Sequence, residues 1–165
     1  MMEGLLIKNV LSNKERKKLI KDCQPLLEDF GERFPGKQTR PYIHKDPRFF
    51  EPMVTMMKRI HQETGKNFII KKSWINYTNG SKKDKDWHDH LDVVDRGAGY
   101  IMVYYIKIPL PFFSNGTLFR EEGFIKAPQN SILIFPPHLK HATPTSPFRL
   151  DRYTMSMDLL NDSRI

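Results

Sequence analysis

The first third of the chain shows the apolar spacing of amphipathic helices. Ser12 and Glu15 form a candidate capping box. It precedes apolar residues that recur every three or four positions, namely Leu19, Ile20, Cys23, Leu26, Leu27 and Phe30. Pro25 falls inside this pattern, so the sequence predicts a helix that either kinks there or gives way to a new one.

A second helix is predicted after a loop rich in glycine, proline and arginine. Asp46 has the character of an N-cap, and Pro47 would occupy the first helical position. The pattern ends near Gly65. Its predicted buried stripe consists of Phe49, Phe50, Val54, Met57 and Ile60.

After this point the period changes from helical to strand-like. Apolar, aromatic and β-branched runs without helical spacing lie at 68–77, 100–108, 117–120, 131–135 and 153–159. Glycine, proline and asparagine separate them. Two helices followed by strands predict helices packed against an antiparallel sandwich or barrel.

Length and composition limit the class of protein. A chain of 165 residues that is 39% hydrophobic is sized for one compact domain and is too apolar for disorder. We expect a single domain, 1–165, with mainly helical support in 1–66 and a β core in 67–160.

No apolar run approaches the roughly 20 residues that span a bilayer. The N-terminus lacks the features of a secretory signal, and Cys23 is the only cysteine, so we expect a cytoplasmic protein without a membrane partner.

The net charge of +8 lies in the first half of the chain. Residues 1–86 hold 19 Lys and Arg against 11 Asp and Glu, whereas residues 87–165 hold 8 of each. Such a surface could attract nucleic acid or an anionic peptide. The alternative is a lysine-rich face that is simply solvated.

The segment "DKDWHDHLDVV", residues 84–94, holds the candidate chemistry. His90 and Asp92 are two positions apart, which on a strand places both side chains on one face and within reach of one metal ion. His44 and Asp46 have the same spacing, but Asp46 is better explained as a helix cap. A further ligand, His138 or His141, follows the buried strand in "ILIFPPHLKHATP". Two imidazoles and one carboxylate are typical of non-haem Fe(II) oxygenases.

These motifs occur in an order that resembles the Fe(II)- and 2-oxoglutarate-dependent dioxygenases, particularly the prolyl-hydroxylase branch. The resemblance covers most of residues 5–160. The segment "IKNVLSNKERKKLI" is similar to the entry helix of that branch, and "YTNGSKKDKDWHDHLD" is similar to the segment that leads into its His-x-Asp ligands. The segment "YIMVYYIKIP" is similar to the next core strand, and Gly116 to the glycine of the following turn. The segment "PQNSILIFPPHLKHATP" is similar to the strand with the distal histidine, and "RYTMSMDLL" to the closing strand.

The resemblance implies a fold and an activity. The fold would be α+β but mainly β, a double-stranded β-helix (jelly-roll) core with N-terminal helices packed on one face. The activity would be hydroxylation of a substrate C–H bond with release of succinate and CO2. Its cofactors would be Fe(II), 2-oxoglutarate and O2, with ascorbate as a candidate stimulant. The expected substrate is a protein or peptide, with proline as the favoured residue.

The resemblance also implies roles for individual residues. His90, Asp92 and His141 would bind iron, and Arg152 would bind the distal carboxylate of 2-oxoglutarate, with Arg149 as its rival. Thr154 and Ser156, two and four positions after Arg152, share its strand face and could donate hydroxyl hydrogen bonds to the same carboxylate. The remaining candidates are Tyr105 and Tyr77 for the cosubstrate, and Trp87 and Arg96 for the substrate.

Three alternatives remain open. His88 shares a strand face with His90, and a His-x-His pair completed by His138 or His141 would indicate a cupin-like metal-binding module without hydroxylase activity. The basic half would also suit an oxygenase that modifies nucleic-acid bases. The third is a barrel of this fold retained only for binding.

Overall fold

The computed structural model describes residues 4–29, 34, 36–80, 87–90, 99–109, 116–144 and 148–162. Most of the ordered secondary structure is β. The strands are β1 (Leu5–Ile7), β2 (Glu28–Asp29), β3 (Lys37–Gln38), β4 (Phe68–Asn79), β5 (Gly99–Lys107), β6 (Gly116–Phe119), β7 (Gly123–Lys126), β8 (Ile132–Phe135), β9 (His141–Ala142) and β10 (Asp151–Asn161).

The described strands form two antiparallel sheets. The larger has the order β1-β8-β5-β10-β4-β3-β2, and the smaller has the order β7-β6-β9. Several neighbours in the larger sheet are distant in sequence, such as β8 beside β5 and β10 beside β4. This is typical of a jelly roll, where successive strands alternate between layers. The predicted mainly β jelly-roll core with helices on one face is confirmed.

Helix α1 (Asn13–Cys23) begins where the sequence predicts. The Glu15 N–H donates to Ser12 Oγ at 3.1 Å, and the Ser12 N–H donates to Glu15 Oε1 at 3.2 Å, which completes the capping box. The helix ends before Pro25, and a short 3₁₀ turn, Gln24–Leu26, follows it. Pro25 therefore stops the helix and does not kink it, because proline cannot supply the amide hydrogen that the next turn needs.

Helix α2 (Phe50–Thr64) ends where the sequence predicts, but it begins three residues after Pro47, the predicted first helical position. Asp46 caps a 3₁₀ turn, Pro47–Phe49, that leads into it, and Gly65 ends it with a φ of 69°. Glycine adopts this left-handed conformation without steric cost.

The predicted buried stripe of α2 is partly wrong. Phe50 and Val54 are 48% and 52% exposed. Phe49 and Ile60 are buried as predicted, and Met57 is partly buried against the core. Met53 and Met56 complete the buried face. Apolar residues lie on two sides of this helix, so its spacing alone does not say which side is covered.

Strand alternation divides the core into two layers. Tyr153, Met155 and Met157 on β10 face the helices and join the larger apolar cluster. On β5, Ile101, Val103 and Tyr105 face the other way, into the space between the two sheets. Successive side chains on a strand point to opposite faces, so odd-numbered and even-numbered positions of one strand pack in different layers. No helix in these described ranges is long and apolar enough to span a membrane.

Candidate metal centre

A cavity of about 430 Å³ opens between the two sheets. Its walls are the inner faces of β4 and β10, the strand β9 and the segment 88–90. The polar residues of β10 that face it are buried, at 8% exposure or less, and they are Arg152, Thr154, Ser156 and Asp158. A row of buried polar side chains on one strand face is unusual for a packed core and is typical of a site.

Three histidines meet at this cavity. The candidate ligand atoms of His88, His90 and His141 all lie within 4.8 Å of one another. The ring centroids of His88 and His141 are 4.3 Å apart, and those of His90 and His141 are 5.0 Å apart. Backbone pairing holds them together, since His88 forms an antiparallel bridge with His141 and the His90 N–H donates to the Pro137 carbonyl at 3.0 Å.

Hydrogen bonds fix the tautomers of two of these rings. His141 Nδ1 lies 2.9 Å from the Leu139 carbonyl, which can only accept, so Nδ1 holds the proton. His90 Nδ1 lies 2.7 Å from Asp158 Oδ1. Each ring therefore offers the lone pair of Nε2. His90 Nε2 is buried and has no hydrogen-bond partner among the described residues. A buried imidazole nitrogen without a donor is an atom to which a metal ion would bind.

The electrostatics favour neutral imidazole at His141. Burial and the neighbouring His88 lower the pKa of His141 to about 3. Neutral imidazole is the form that binds metals. The donor set, imidazole nitrogen, suits Fe, Ni, Cu and Zn and therefore fits a non-haem iron.

The structure distinguishes among the histidines that the sequence offered. His138 is exposed on the surface. His44 lies elsewhere, with its Nδ1 2.6 Å from Ser73 Oγ. Asp92, the predicted carboxylate ligand, and Arg96, a predicted substrate contact, lie outside the described residues. The described part of the centre is thus the His-x-His pair completed by His141.

Arg152 provides a buried positive charge in the same cavity. Its Nη2 donates to the Gly116 carbonyl at 2.9 Å, and its guanidinium lies 6.0 Å from the centre of the Tyr105 ring. Burial lowers the pKa of Arg152 to about 10, so the group is still cationic at neutral pH. A cation held away from water in a low-dielectric wall attracts an anionic ligand strongly. Arg149, its predicted rival, is exposed and does not line the cavity.

Two hydroxyls stand beside Arg152. Asn76 Nδ2 donates to Thr154 Oγ1 at 3.3 Å and to Ser156 Oγ at 3.1 Å. Because each hydroxyl accepts from Asn76, each keeps its own proton to donate into the cavity. Asn76 is itself oriented by Gln38, whose Nε2 donates to Asn76 Oδ1 at 2.6 Å. The wall can therefore present a guanidinium and two hydroxyl donors to a carboxylate.

The structure separates the two predicted tyrosines. Tyr105 is fully buried, and its hydroxyl pairs with Thr117, which lines the cavity. Burial raises the pKa of Tyr105 to about 12, so it remains a neutral hydrogen-bonding group. Tyr77 faces the opposite layer, where its ring packs at a tilt against Tyr153 and its hydroxyl donates to Asp151 at 2.8 Å. The predicted position of Tyr77 near the cosubstrate is therefore not what the structure shows.

The residues of the cavity wall that sequence reasoning did not single out include three that contact the histidines or the hydroxyls. Asp158 is fully buried and contacts His90, Trp74 stacks on His90 at 5.8 Å with an interplanar angle of 11°, and Asn76 orients the hydroxyls. The sequence did indicate Asp158, because it lies two positions after Ser156 and therefore shares the strand face of Arg152, Thr154 and Ser156. Trp87, a predicted substrate contact, is half-buried and is not among the described residues that line the cavity.

No family model and no curated protein sequence matches this chain. Solved structures match it in fold. HygX from Streptomyces hygroscopicus, with nickel and 2-oxoglutarate bound, has a TM-score of 0.73 at 11% identity, covering 96% of this chain and 83% of that one. The non-heme alpha ketoglutarate dependent epimerase SnoN, from nogalamycin biosynthesis, has a TM-score of 0.76 at 8% identity, covering 96% and 78%.

A third similar structure is the viral collagen prolyl hydroxylase vCPH from Paramecium Bursaria Chlorella virus-1. Its TM-score is 0.66 at 12% identity, with 95% of this chain and 89% of that one covered. The chain has the same fold as these three structures. At these identities the similarity establishes the architecture, whereas ligands and reaction have to be argued from the site.

Proposed function

We propose that the protein is an Fe(II)- and 2-oxoglutarate-dependent oxygenase. The observation that supports this most strongly is the joint placement of two features in one cavity. One is the histidine cluster with the unpartnered, buried Nε2 of His90, and the other is the buried guanidinium of Arg152. A metal site and a carboxylate site side by side are what a 2-oxo acid cosubstrate requires, because it binds through both of its ends.

His90 and His141 would bind the metal, because the Nδ1 of each ring already donates a hydrogen bond, which leaves the lone pair of Nε2 for a metal ion. The family resemblance assigns the third ligand to Asp92, and the cluster geometry offers His88. Bound Fe(II), with 2-oxoglutarate and O2, would supply the oxidising power that hydroxylates a C–H bond and releases succinate and CO2.

The chain itself would supply binding, orientation and a dry environment. Arg152 would pair with the distal carboxylate of 2-oxoglutarate, and the hydroxyls of Thr154 and Ser156 would donate to it. Tyr105 would hold the guanidinium from behind through its ring and hold Thr117 through its hydroxyl. Burial of this end would strengthen the ion pair and keep water from the reacting groups.

The substrate we propose is a protein or peptide segment, with proline as the favoured residue. Similarity of fold to a collagen prolyl hydroxylase supports this, together with the excess of basic residues in 1–86, which would attract an acidic segment. Other similar structures are an epimerase and a carbocyclase, so the fold also accommodates small-molecule chemistry.

Succinate formation tests the activity. The protein would be incubated with Fe(II), 2-oxoglutarate, ascorbate and air, together with either a library of acidic proline-containing peptides or single-stranded oligonucleotides. We expect succinate above the substrate-free background with peptides, and none from a His141→Ala variant. Stimulation by oligonucleotides alone would replace the peptide substrate with a nucleic acid.

A metal-binding module is the second candidate function. The His88, His90 and His141 cluster favours it, because this set alone can hold a metal whether or not 2-oxoglutarate binds. Tight metal binding with no succinate in any of these reactions would support the module and contradict the oxygenase.

A further inference from the structure

Asp158 is the buried acid of the candidate metal centre, and its position suggests a specific task. It lies on the inner face of β10 with 0% exposure, four positions beyond Thr154 and on the same wall. Its Oδ1 is 2.7 Å from His90 Nδ1. Its carboxylate is not one of the three groups whose ligand atoms cluster within 4.8 Å, so it contacts the cluster through His90.

The contact decides which nitrogen of His90 faces the cavity. A carboxylate at Nδ1 keeps the proton on that nitrogen and leaves Nε2 as a lone pair. The plane of the ring is fixed separately by stacking, since Trp74 lies at 11° and His141 at 18° to it. Two flat neighbours can hold a ring plane but do not distinguish its two nitrogens. The hydrogen bond to Asp158 distinguishes the two nitrogens of the His90 ring.

A purely structural ion pair accounts poorly for this geometry. Asp158 Oδ2 and His90 Nε2 are both buried and have no hydrogen-bond partner among the described residues. Burial of a polar atom without a hydrogen-bond partner costs free energy. In an ion pair that serves only stability, neighbouring groups would be expected to supply the missing hydrogen bonds. Binding of a metal ion accounts for the unpartnered Nε2, because the candidate ligand atoms of His88, His90 and His141 lie within 4.8 Å of one another.

We infer that Asp158 is a positioning residue that orients His90 and increases its electron donation to a metal ion. Carboxylates that accept from a metal-binding imidazole have this effect in many metal sites. The inference rests on the proposed function for the presence of the metal. The role of Asp158 would matter most if His88 is the third ligand. Three neutral imidazoles bring no negative charge to the metal, and Asp158 would then supply negative charge through His90.

The first test uses the metal-free protein. Long-range ¹H–¹⁵N NMR of the histidine rings reports which nitrogen holds the proton. We expect His90 to be protonated at Nδ1 in the wild type, and Asp158→Ala to convert it to a mixture of tautomers. A His90 protonated at Nε2 in the wild type, or a tautomer that is unchanged in Asp158→Ala, would overturn the inference. This readout does not depend on activity.

The second test measures Mn(II) affinity by calorimetry. We expect Asp158→Asn, which keeps the shape and a hydrogen-bond acceptor but removes the charge, to weaken binding by about 10- to 100-fold. Asp158→Ala should weaken it further. The matched control is Asp151→Asn on the same strand, where the carboxylate accepts from Tyr77 and Asn79 away from the cavity. It should leave Mn(II) affinity unchanged.

The outcomes separate this inference from the proposed function. A wild-type protein that binds Mn(II) but not 2-oxoglutarate would contradict the oxygenase, and Asp158→Asn would still test the positioning role. Wild-type Mn(II) affinity in a folded Asp158→Asn variant would overturn the increase in electron donation, and a His90 tautomer unchanged in Asp158→Ala would overturn the orienting role; neither result would contradict the oxygenase. If Asp158→Ala fails to fold, the isosteric Asn variant and the wild-type NMR spectrum still decide the question.

Discussion

The backbones of His88 and His141 pair directly across two strands. The His141 N–H donates to the His88 carbonyl at 2.9 Å, and the His88 N–H donates to the His141 carbonyl at 3.2 Å. Residues that face each other in an antiparallel bridge place their side chains on the same side of the sheet. His88 is therefore fixed beside His141 by the main chain, and His90, two residues further, lies on the same face.

This pairing leads to a prediction about the third metal ligand. We expect His88→Ala to lower Mn(II) affinity by at least about tenfold, because one of three coordinate bonds would be lost. Asp92→Ala should be measured beside it, since the family resemblance assigns the ligand there. Wild-type affinity in His88→Ala with a loss in Asp92→Ala would restore the His90, Asp92 and His141 set.

Arg152 should control affinity for 2-oxoglutarate. We expect Arg152→Met, which keeps much of the side-chain volume, to raise the Kd by at least about tenfold, because a hydrogen-bonded charge contributes about 1.5–3 kcal/mol. Arg149→Met is the matched control and should change the Kd by less than about twofold, since Arg149 is exposed. The reverse order, measured by calorimetry on Mn(II)-loaded protein, would transfer the role to Arg149.

Gly116 should be intolerant of a side chain. A Cβ built there would overlap the Ile125 carbonyl oxygen, and the Gly116 carbonyl is the one that accepts from Arg152. We expect Gly116→Ala to destabilise the fold by about 2–3 kcal/mol and also to weaken 2-oxoglutarate binding. Gly65→Ala is the control, because nothing lies within 4 Å of that Cβ and only the left-handed φ is unfavourable, at about 1–2 kcal/mol. Urea unfolding compares them, and equal losses would contradict the steric account.

Asn130 should anchor the segment before α1 to the jelly roll. Its side chain accepts from the Leu11 N–H and the Tyr104 hydroxyl and donates to the Leu11 carbonyl, at 2.9, 2.6 and 2.7 Å. Its φ of 64° is left-handed, which asparagine tolerates. We expect Asn130→Ala to cost about 3 kcal/mol in the free energy of unfolding, and Asn130→Gly about 1 kcal/mol less, because glycine removes the strain but not the hydrogen-bond loss. Equal stability of the two variants in denaturant titrations would argue against strain at this position.

Much of the architecture could be predicted from local patterns. The strands β4 and β5 are long and rich in aromatic and β-branched residues, and helix α1 begins at its capping box. The alternation of β10 also predicted that Arg152, Thr154 and Ser156 share a face. These features depend on neighbours in sequence, which the sequence shows directly.

Features that depend on distant partners were harder to predict. Asp158 contacts His90, 68 positions away, and nothing near either residue indicates that contact. The resemblance placed Tyr77 near the cosubstrate, but the cavity is lined by its neighbour Asn76, and Tyr77 packs in the layer of the helices. The two-residue strand β9 is too short to have a periodic pattern, and its neighbours in the sheet define it.

The central claim is that a metal ion and 2-oxoglutarate bind together in the cavity between the sheets. Calorimetric titration of the Mn(II)-loaded protein with 2-oxoglutarate under argon tests this most directly, with metal-free protein and His90→Ala as controls. The predicted result is binding that requires the metal and is lost in His90→Ala. Absence of 2-oxoglutarate binding to folded, Mn(II)-loaded wild-type protein would contradict the claim.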